Sequence, residues 1–214
     1  MSALRFSSLI ILFPILFAAC GRSELIRIRM LAPVNEDKKD HAIFTDTESL
    51  SSFTPVITNK QIGGSLYFLF KSIGLGYTTI TTKMEKADEN LTEKTTLVTN
   101  FADVAFGIGE NYSFMWGAGV LTGGKWETSL EYDSKTFNPK HNYLGGHSLF
   151  FVLGHHGFGF ETLLGYRTNS IKAEFEEINP SDEDIGKTGK DFTYESNIIS
   201  LKTSQVQLGI GFTF

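Results

Sequence analysis

The sequence predicts an all-β chain that closes as a single eight-stranded antiparallel barrel, and three observations carry that prediction. Eight segments alternate apolar and polar residues with a period of two. The composition, with 19 Phe and 21 Gly against 5 Pro in 214 residues, combines strand formers with turn residues. The connections between segments alternate between tight and long, which puts turns at one end of the barrel and loops at the other.

Residues 1–21 read as an export segment. Arg5 precedes the apolar run from Leu9 to Ala19, which is too short to span a bilayer as a stable helix. Ala18, Ala19, Cys20 and Gly21 supply the small residues of a cleavage site. Leu16-Phe17-Ala18-Ala19-Cys20 also resembles a relaxed lipoprotein box, with Phe17 where such boxes usually carry Leu and Cys20 as the candidate for lipidation. The alternative is a cysteine beside an ordinary cleavage site. Residues 22–214 form one domain. Cys20 is the only cysteine, so strand pairing and burial alone must hold the fold.

The alternating segments run roughly over 24–32, 61–71, 75–86, 95–109, 113–133, 143–154, 158–177 and 198–214. Tight connections fall near Ser72-Ile73-Gly74, Glu110-Asn111-Tyr112 and His155-His156-Gly157, and longer polar ones over 33–60, 87–94, 134–142 and 178–197. In the last segment Val206, Leu208, Ile210, Phe212 and Phe214 share one face, opposite Gln205, Gln207, Gly209, Gly211 and Thr213. Periodicity leaves open which face is inside. Phe158, Phe160, Leu164 and Tyr166 oppose Gly159, Glu161, Gly165 and Arg167. Phe114, Trp116, Ala118, Val120, Trp126, Leu130 and Tyr132 oppose Gly117, Gly119, Lys125, Glu127 and Glu131. Trp116 and Trp126 are ten residues apart on that apolar face, about 25 Å along the normal of a tilted strand, which is the height of a lipid-facing band. The expected aromatic girdle is Phe114, Trp116, Trp126, Tyr132, Phe158, Phe160 and Tyr166.

The last eight residues, Gln207 to Phe214, resemble the C-terminal assembly signal of bacterial outer-membrane barrels, with Gln207, Gly209, Phe212 and Phe214 as its marked positions. Strand number and loop pattern resemble the small barrels of the OmpA, OmpX and OmpW type over nearly the whole mature chain. The resemblance implies short periplasmic turns, longer extracellular loops, outer-membrane lipid as the surroundings, and the barrel-assembly machinery as the partner during insertion. A monomer in the outer membrane of a Gram-negative-type bacterium is expected.

With these faces, Arg27, Arg29, Asp103, Lys125, Glu127, Glu161 and Arg167 line the lumen. They are either a charged conduit or, in the favoured reading, mutually paired charges that fill a narrow barrel. His147 and Ser148 are adjacent, so their side chains point to opposite faces, which counts against a hydrolase. His155 and His156 offer two metal ligands without a third. Gly107-Ile108-Gly109 and Gly117-Ala118-Gly119 lie within strands and make no phosphate loop, so no cofactor is expected. The acidic run from Glu174 to Asp184 reads as a solvated loop. A net charge of −5 leaves no broad basic surface for nucleic acid.

The leading function class is a non-enzymatic outer-membrane barrel serving envelope integrity, surface adhesion or passage of a small solute. The alternative is a soluble, periplasm-facing lipocalin-like barrel, anchored through Cys20, that carries an apolar ligand. A lipid-modifying barrel enzyme ranks third. The discriminator is which face is apolar: the lipocalin-like reading puts Glu161, Lys125 and Glu127 outside and both Trp inside.

Overall fold

The computed structural model describes residues 26–34, 45–46, 56–87, 91–132, 135–137, 141–157, 159–175, 192–193 and 198–214. The export segment and Cys20 lie outside them, as does most of the acidic run. Eight strands form the wall: β1 (Ile26–Pro33), β2 (Val56–Phe70), β3 (Ile73–Ala87), β4 (Leu91–Gly109), β5 (Tyr112–Tyr132), β6 (His141–Gly157), β7 (Phe160–Phe175) and β8 (Ile198–Thr213). Each pairs antiparallel with the next, and β8 returns to β1, so the sheet closes. Lys135–Phe137 adds a short strand beside the far end of β5, and Thr45–Asp46 pairs with Phe192–Thr193.

The register fixes the width of the ring. Directly opposed residues lead from Ile210 through Met30, Leu66, Tyr77, Ala102, Val120, His147 and Ser170 back to Lys202, eight residues along β8 from the start. Eight strands with a stagger of eight tilt by ~36° and enclose only enough room for side chains. One residue therefore rises about 2.7 Å along the axis. Residues of equal height follow from the same register, and Ile210, Phe68, Gly74, Phe106, Met115, Leu153 and Leu163 lie in one plane.

Near the short connections 71–72, 110–111 and 158–159 the outer face is apolar all round. Phe68 (50 % exposed), Leu75 (68 %), Leu149 (57 %) and Leu208 (51 %) point away from the barrel, with Phe106, Phe114, Trp116, Phe151, Phe160 and Tyr166 between them. This belt runs from Phe214, four residues below the plane, to Val120, five above it, a height of about 25 Å. From its upper edge onward most outward residues are polar, among them Thr79, Lys83, Asn100, Lys125, Thr168, Lys172 and Lys202, with Ile62 and Tyr143 as exposed exceptions.

The second half of β5 overturns part of the sequence-based assignment. Asn100 is opposed to Gly123 but Phe101 to Leu121, so Thr122 is an extra residue, a β-bulge whose hydroxyl donates to the Asn100 carbonyl at 3.2 Å. A bulge inverts every face that follows it. Trp126 is consequently inside, 2 % exposed, and is not part of an outer girdle. Lys125 and Glu127 point outward, paired with each other, and do not line the lumen. The side chains of Tyr132 and Phe158 lie outside the described residues. The third turn also differs from expectation, since β6 runs through His155 and His156 to Gly157. The Gly159 φ of +85° falls in the connection that follows, where glycine is at ease.

Deleting Thr122 should restore a continuous alternation and swing Lys125 and Glu127 into the interior. We expect a loss of at least ~3 kcal/mol, read from the midpoint of urea unfolding. An unchanged midpoint would show that the bulge does not set the facing of Trp126.

Candidate functional site

The interior is layered, and two of its layers are ionic. Alternation sends odd-numbered residues of β1, β2, β4, β7 and β8 inward, so each charge arrives on its own strand at its own height. Near the turns, Arg29 on β1 donates from Nε to Oε2 of Glu161 on β7 at 2.8 Å. Its Nη2 donates to Glu161 Oε1 at 2.8 Å and to Ser113 Oγ at 2.7 Å. Arg27 lies 3.9 Å from the same carboxylate and donates to the Gly109 carbonyl at 2.8 Å. Long chains fit because glycines face them. A Cβ on Gly211 would sit 2.6 Å from Glu161 Oε2, and one on Gly154 would strike the Ser113 hydroxyl.

An apolar shelf of Leu31, Leu69, Ala105, Met115, Phe150, Val152 and Leu163, with the ring of Tyr67, separates this floor from a second network. There Arg167 meets Asp103 bidentately, Nη1 to Oδ2 and Nη2 to Oδ1, each at 2.9 Å. Its remaining donors reach Ser148 Oγ at 2.5 Å, Thr78 Oγ1 at 3.0 Å, Tyr67 Oη at 3.2 Å and Asn169 Oδ1 at 3.1 Å. Thr78 donates to Asp103 Oδ2 at 2.6 Å. Phe101 and Phe150 flank the guanidinium, 4.8 and 5.4 Å from its carbon to their ring centres. All five N–H groups of this arginine thus have acceptors, and both members of the pair are fully enclosed.

Above it lies a second apolar layer of Met84, Leu97, Phe101, Trp126, Ile171, Ala173 and Leu201. Trp126 Nε1 donates to Thr128 Oγ1 at 3.1 Å, and Thr128 is bonded to Thr95 at 2.9 Å.

Of the seven residues expected in the lumen, Arg27, Arg29 and Glu161 are inside in one network and Asp103 and Arg167 in the other, whereas Lys125 and Glu127 are outside. Sequence reasoning missed the hydroxyl and amide partners Thr78, Ser113, Ser148 and Asn169, whose only signal was inward parity. Ser148 is bound to Arg167 inside the wall while His147 is exposed outside it. Not every inward polar group is engaged. Gln61 and Gln205 are buried with both amide atoms unpartnered, as are Gln207 Oε1 and Arg29 Nη1. Of the positions marked in the last strand, Gln207 and Gly209 face inward, and Phe212 and Phe214 face outward.

A fully satisfied pair and an unsatisfied amide should respond oppositely to an apolar isostere. Arg167→Leu strands a buried carboxylate and is expected to cost about 3–5 kcal/mol. Gln205→Leu removes two unpaired groups and should be neutral within ~1 kcal/mol or stabilising. Thermal unfolding of both variants tests this, and equal losses would contradict it.

No protein-family model matches the sequence, and no curated relative matches it. Among solved structures, the chain is similar to the outer membrane protein OprG from Pseudomonas aeruginosa, with a TM-score of 0.43 and 11 % identity over 91 % of this chain and 97 % of that one.

Proposed function

We propose that the chain is a non-enzymatic barrel of the outer membrane of a Gram-negative-type bacterium, monomeric and occluded, with a role in envelope integrity or surface attachment. One observation carries this reading: the apolar belt encircles all eight strands on the outside while Arg29, Glu161, Asp103 and Arg167 are enclosed within. A soluble barrel would expose that apolar belt to water, at a cost that scales with its area. A membrane turns the same belt into the favourable contact.

The lipocalin-like alternative needs an apolar interior with room for a ligand. Lys125 and Glu127 outside and Trp126 inside are as that reading has them, but Glu161 is inside and Trp116 outside, and paired charges fill the interior beside the belt. The enzymatic alternative loses support because Ser148 and His147 lie on opposite sides of the wall. A wide aqueous path is disfavoured by the strand number, since water-filled channels belong to barrels of about sixteen strands. On this reading the short turns face the periplasm, β8 presents Gln207, Gly209, Phe212 and Phe214 to the assembly machinery, and residues 1–21 direct export, with Cys20 lipidated or removed.

Depth along one strand tests the membrane reading. Leu164→Arg, in the middle of the belt, should cost about 2–4 kcal/mol in lipid, and Thr168→Arg, at its edge, about 0–1. Equal, small effects would mean that the belt does not meet lipid. Replacing Phe212 and Phe214 with Ser should abolish the heat-modifiable form in outer-membrane fractions without reducing export; normal amounts of it would refute the assembly role. Planar-bilayer recording completes the set, where a large, stable conductance would overturn the occluded reading.

A further inference from the structure

β5 and β6 form one hairpin whose ladder lapses in its middle. The strands are directly opposed from Tyr112 with His155 to Val120 with His147, and β5 is paired again where Leu130 meets Phe137 and Tyr132 meets Lys135. Both blocks share one register. Carried six residues past Val120 and His147, or four back from Leu130 and Phe137, it sets Trp126 opposite His141. Between the blocks, among the described residues, no ladder pair joins β5 to β6. Each strand turns to its other neighbour instead: β5 gains the extra residue Thr122 against β4, and β6 is irregular against β7 between His141 and Tyr143. Gly123 and Gly124 on one side and Gly145 and Gly146 on the other place no side chain in the breach.

Two side chains close it. The half-buried His141 ring accepts the backbone N–H of Trp126 on Nε2 at 3.0 Å, so an imidazole stands where a ladder would supply a carbonyl. Leu144 lies against Gly124, where a Cβ would come within 2.9 Å of its Cδ2. Leu144 and Leu121 pack on the apolar layer that holds Trp126, Phe101 and Ile171. The breach therefore fronts an apolar part of the interior, and Trp126 lies six residues beyond the upper edge of the belt at Val120. An N–H that points at a ring nitrogen needs the lone pair there, and a protonated imidazole has only donors. The flanking charges are Lys125, Glu127 and Glu131 on β5, the first two paired with each other, and Lys172 and Glu174 on β7. The side chain of Lys135 lies outside the described residues.

We propose that His141 is an acid-sensitive latch on this breach. Neutral, it ties the hairpin together through the Trp126 amide. A proton taken from solvent onto Nε2 turns the acceptor into a donor, sets two N–H groups against each other and opens the apolar layer at the loop end. Imidazole is the side chain that changes charge between pH 5 and 8, so the latch holds at the upper end of that range and releases at the lower. The ladders on either side, β4 with β5 and β6 with β7, are built from backbone groups that do not titrate. Release is therefore local to the hairpin. The inference goes beyond the outer-membrane reading and does not depend on it, because the latch lies past the belt.

Amide exchange in the full barrel refolded in detergent micelles tests the latch, with rates at pH 8 and pH 5 corrected for the intrinsic pH dependence of exchange. Protection of the Trp126 amide should fall about tenfold between pH 8 and pH 5 in the unmodified barrel. H141Q keeps an acceptor at the reach of Nε2 that does not titrate, and its Trp126 amide should stay protected at both pH values. H141F has no acceptor and should lose protection at both; should it fail to fold, H141Q beside the unmodified barrel carries the test. H147Q/H155Q/H156Q should show the same fall as the unmodified barrel. A fall that persists in H141Q, or that vanishes in the triple variant, would overturn the latch. So would equal protection at both pH values in the unmodified barrel, or an equal fall across the amides of β4 and β7, which would mean that acid loosens the whole wall.

Discussion

A ring of eight strands with a stagger of eight has no spare interior, and the chemistry of the barrel follows from that constraint. Any inward side chain must touch those across the axis, so a charge placed inside is brought to a counter-charge or left unpaired at several kcal/mol. The chain meets this by stacking layers: Arg29 with Glu161, an apolar shelf, Arg167 with Asp103, and a second apolar layer. Glycines at 119, 154 and 211 are paired on neighbouring strands with Asp103, Ser113 and Glu161, so bulk and its absence alternate around the inner wall.

Such pairs are weak contributors to net stability, because desolvation cancels most of their attraction. Their stronger effect is on register. A one-residue slip of β4 would send Asp103 to the outer face and bring Ala102 or Val104 against the guanidinium of Arg167, whose other acceptors among the described residues are hydroxyls and an amide. The same slip would also lift Phe101 and Ala105 out of their apolar layers. Polar and apolar layers therefore specify one pairing together, and neither would do so as sharply alone.

Much of this was legible from alternation. The eight strands, the antiparallel closure and the facing of β1, β4, β7 and β8 follow from a period of two, and so does the placement of Arg29, Asp103, Glu161 and Arg167 inside. The second half of β5 was not legible, because a bulge breaks parity without breaking the pattern of residue types. Trp126 is equally apolar on either face, and Lys125 with Glu127 is equally charged on either. The local signal was Gly123-Gly124 after Thr122, a pair that weakens a strand where a bulge forms. The turn after β6 differs for a related reason: two histidines read as turn residues, although His155 packs at a tilt against Tyr112, 4.8 Å between ring centres, and lies within the strand. Hydroxyl partners such as Thr78 and Ser148 were invisible, since their role depends on which strand lies across the axis.

The inverted Trp126 points to a change of building rule along the axis. Beside the belt the outer face is apolar and the interior carries the ion pairs, the arrangement that hydrocarbon surroundings favour. Above Val120 the rule reverses: Leu97, Phe101, Trp126, Ile171 and Leu201 point inward while Thr96, Lys125, Glu127, Lys172 and Lys202 point outward. That upper half buries an apolar core and exposes charges, as a barrel in water would. The strands, up to 21 residues in β5, are far longer than the roughly 9–11 that a tilted strand needs to cross a bilayer, and the reversal accounts for the excess. Without it, the residues beyond the belt would face water with an apolar exterior. The bulge at Thr122 follows the end of the belt at Val120 by two residues, so on β5 a single extra residue exchanges one solvent rule for the other. On β4, β7 and β8 the residue types themselves make the exchange while parity is kept.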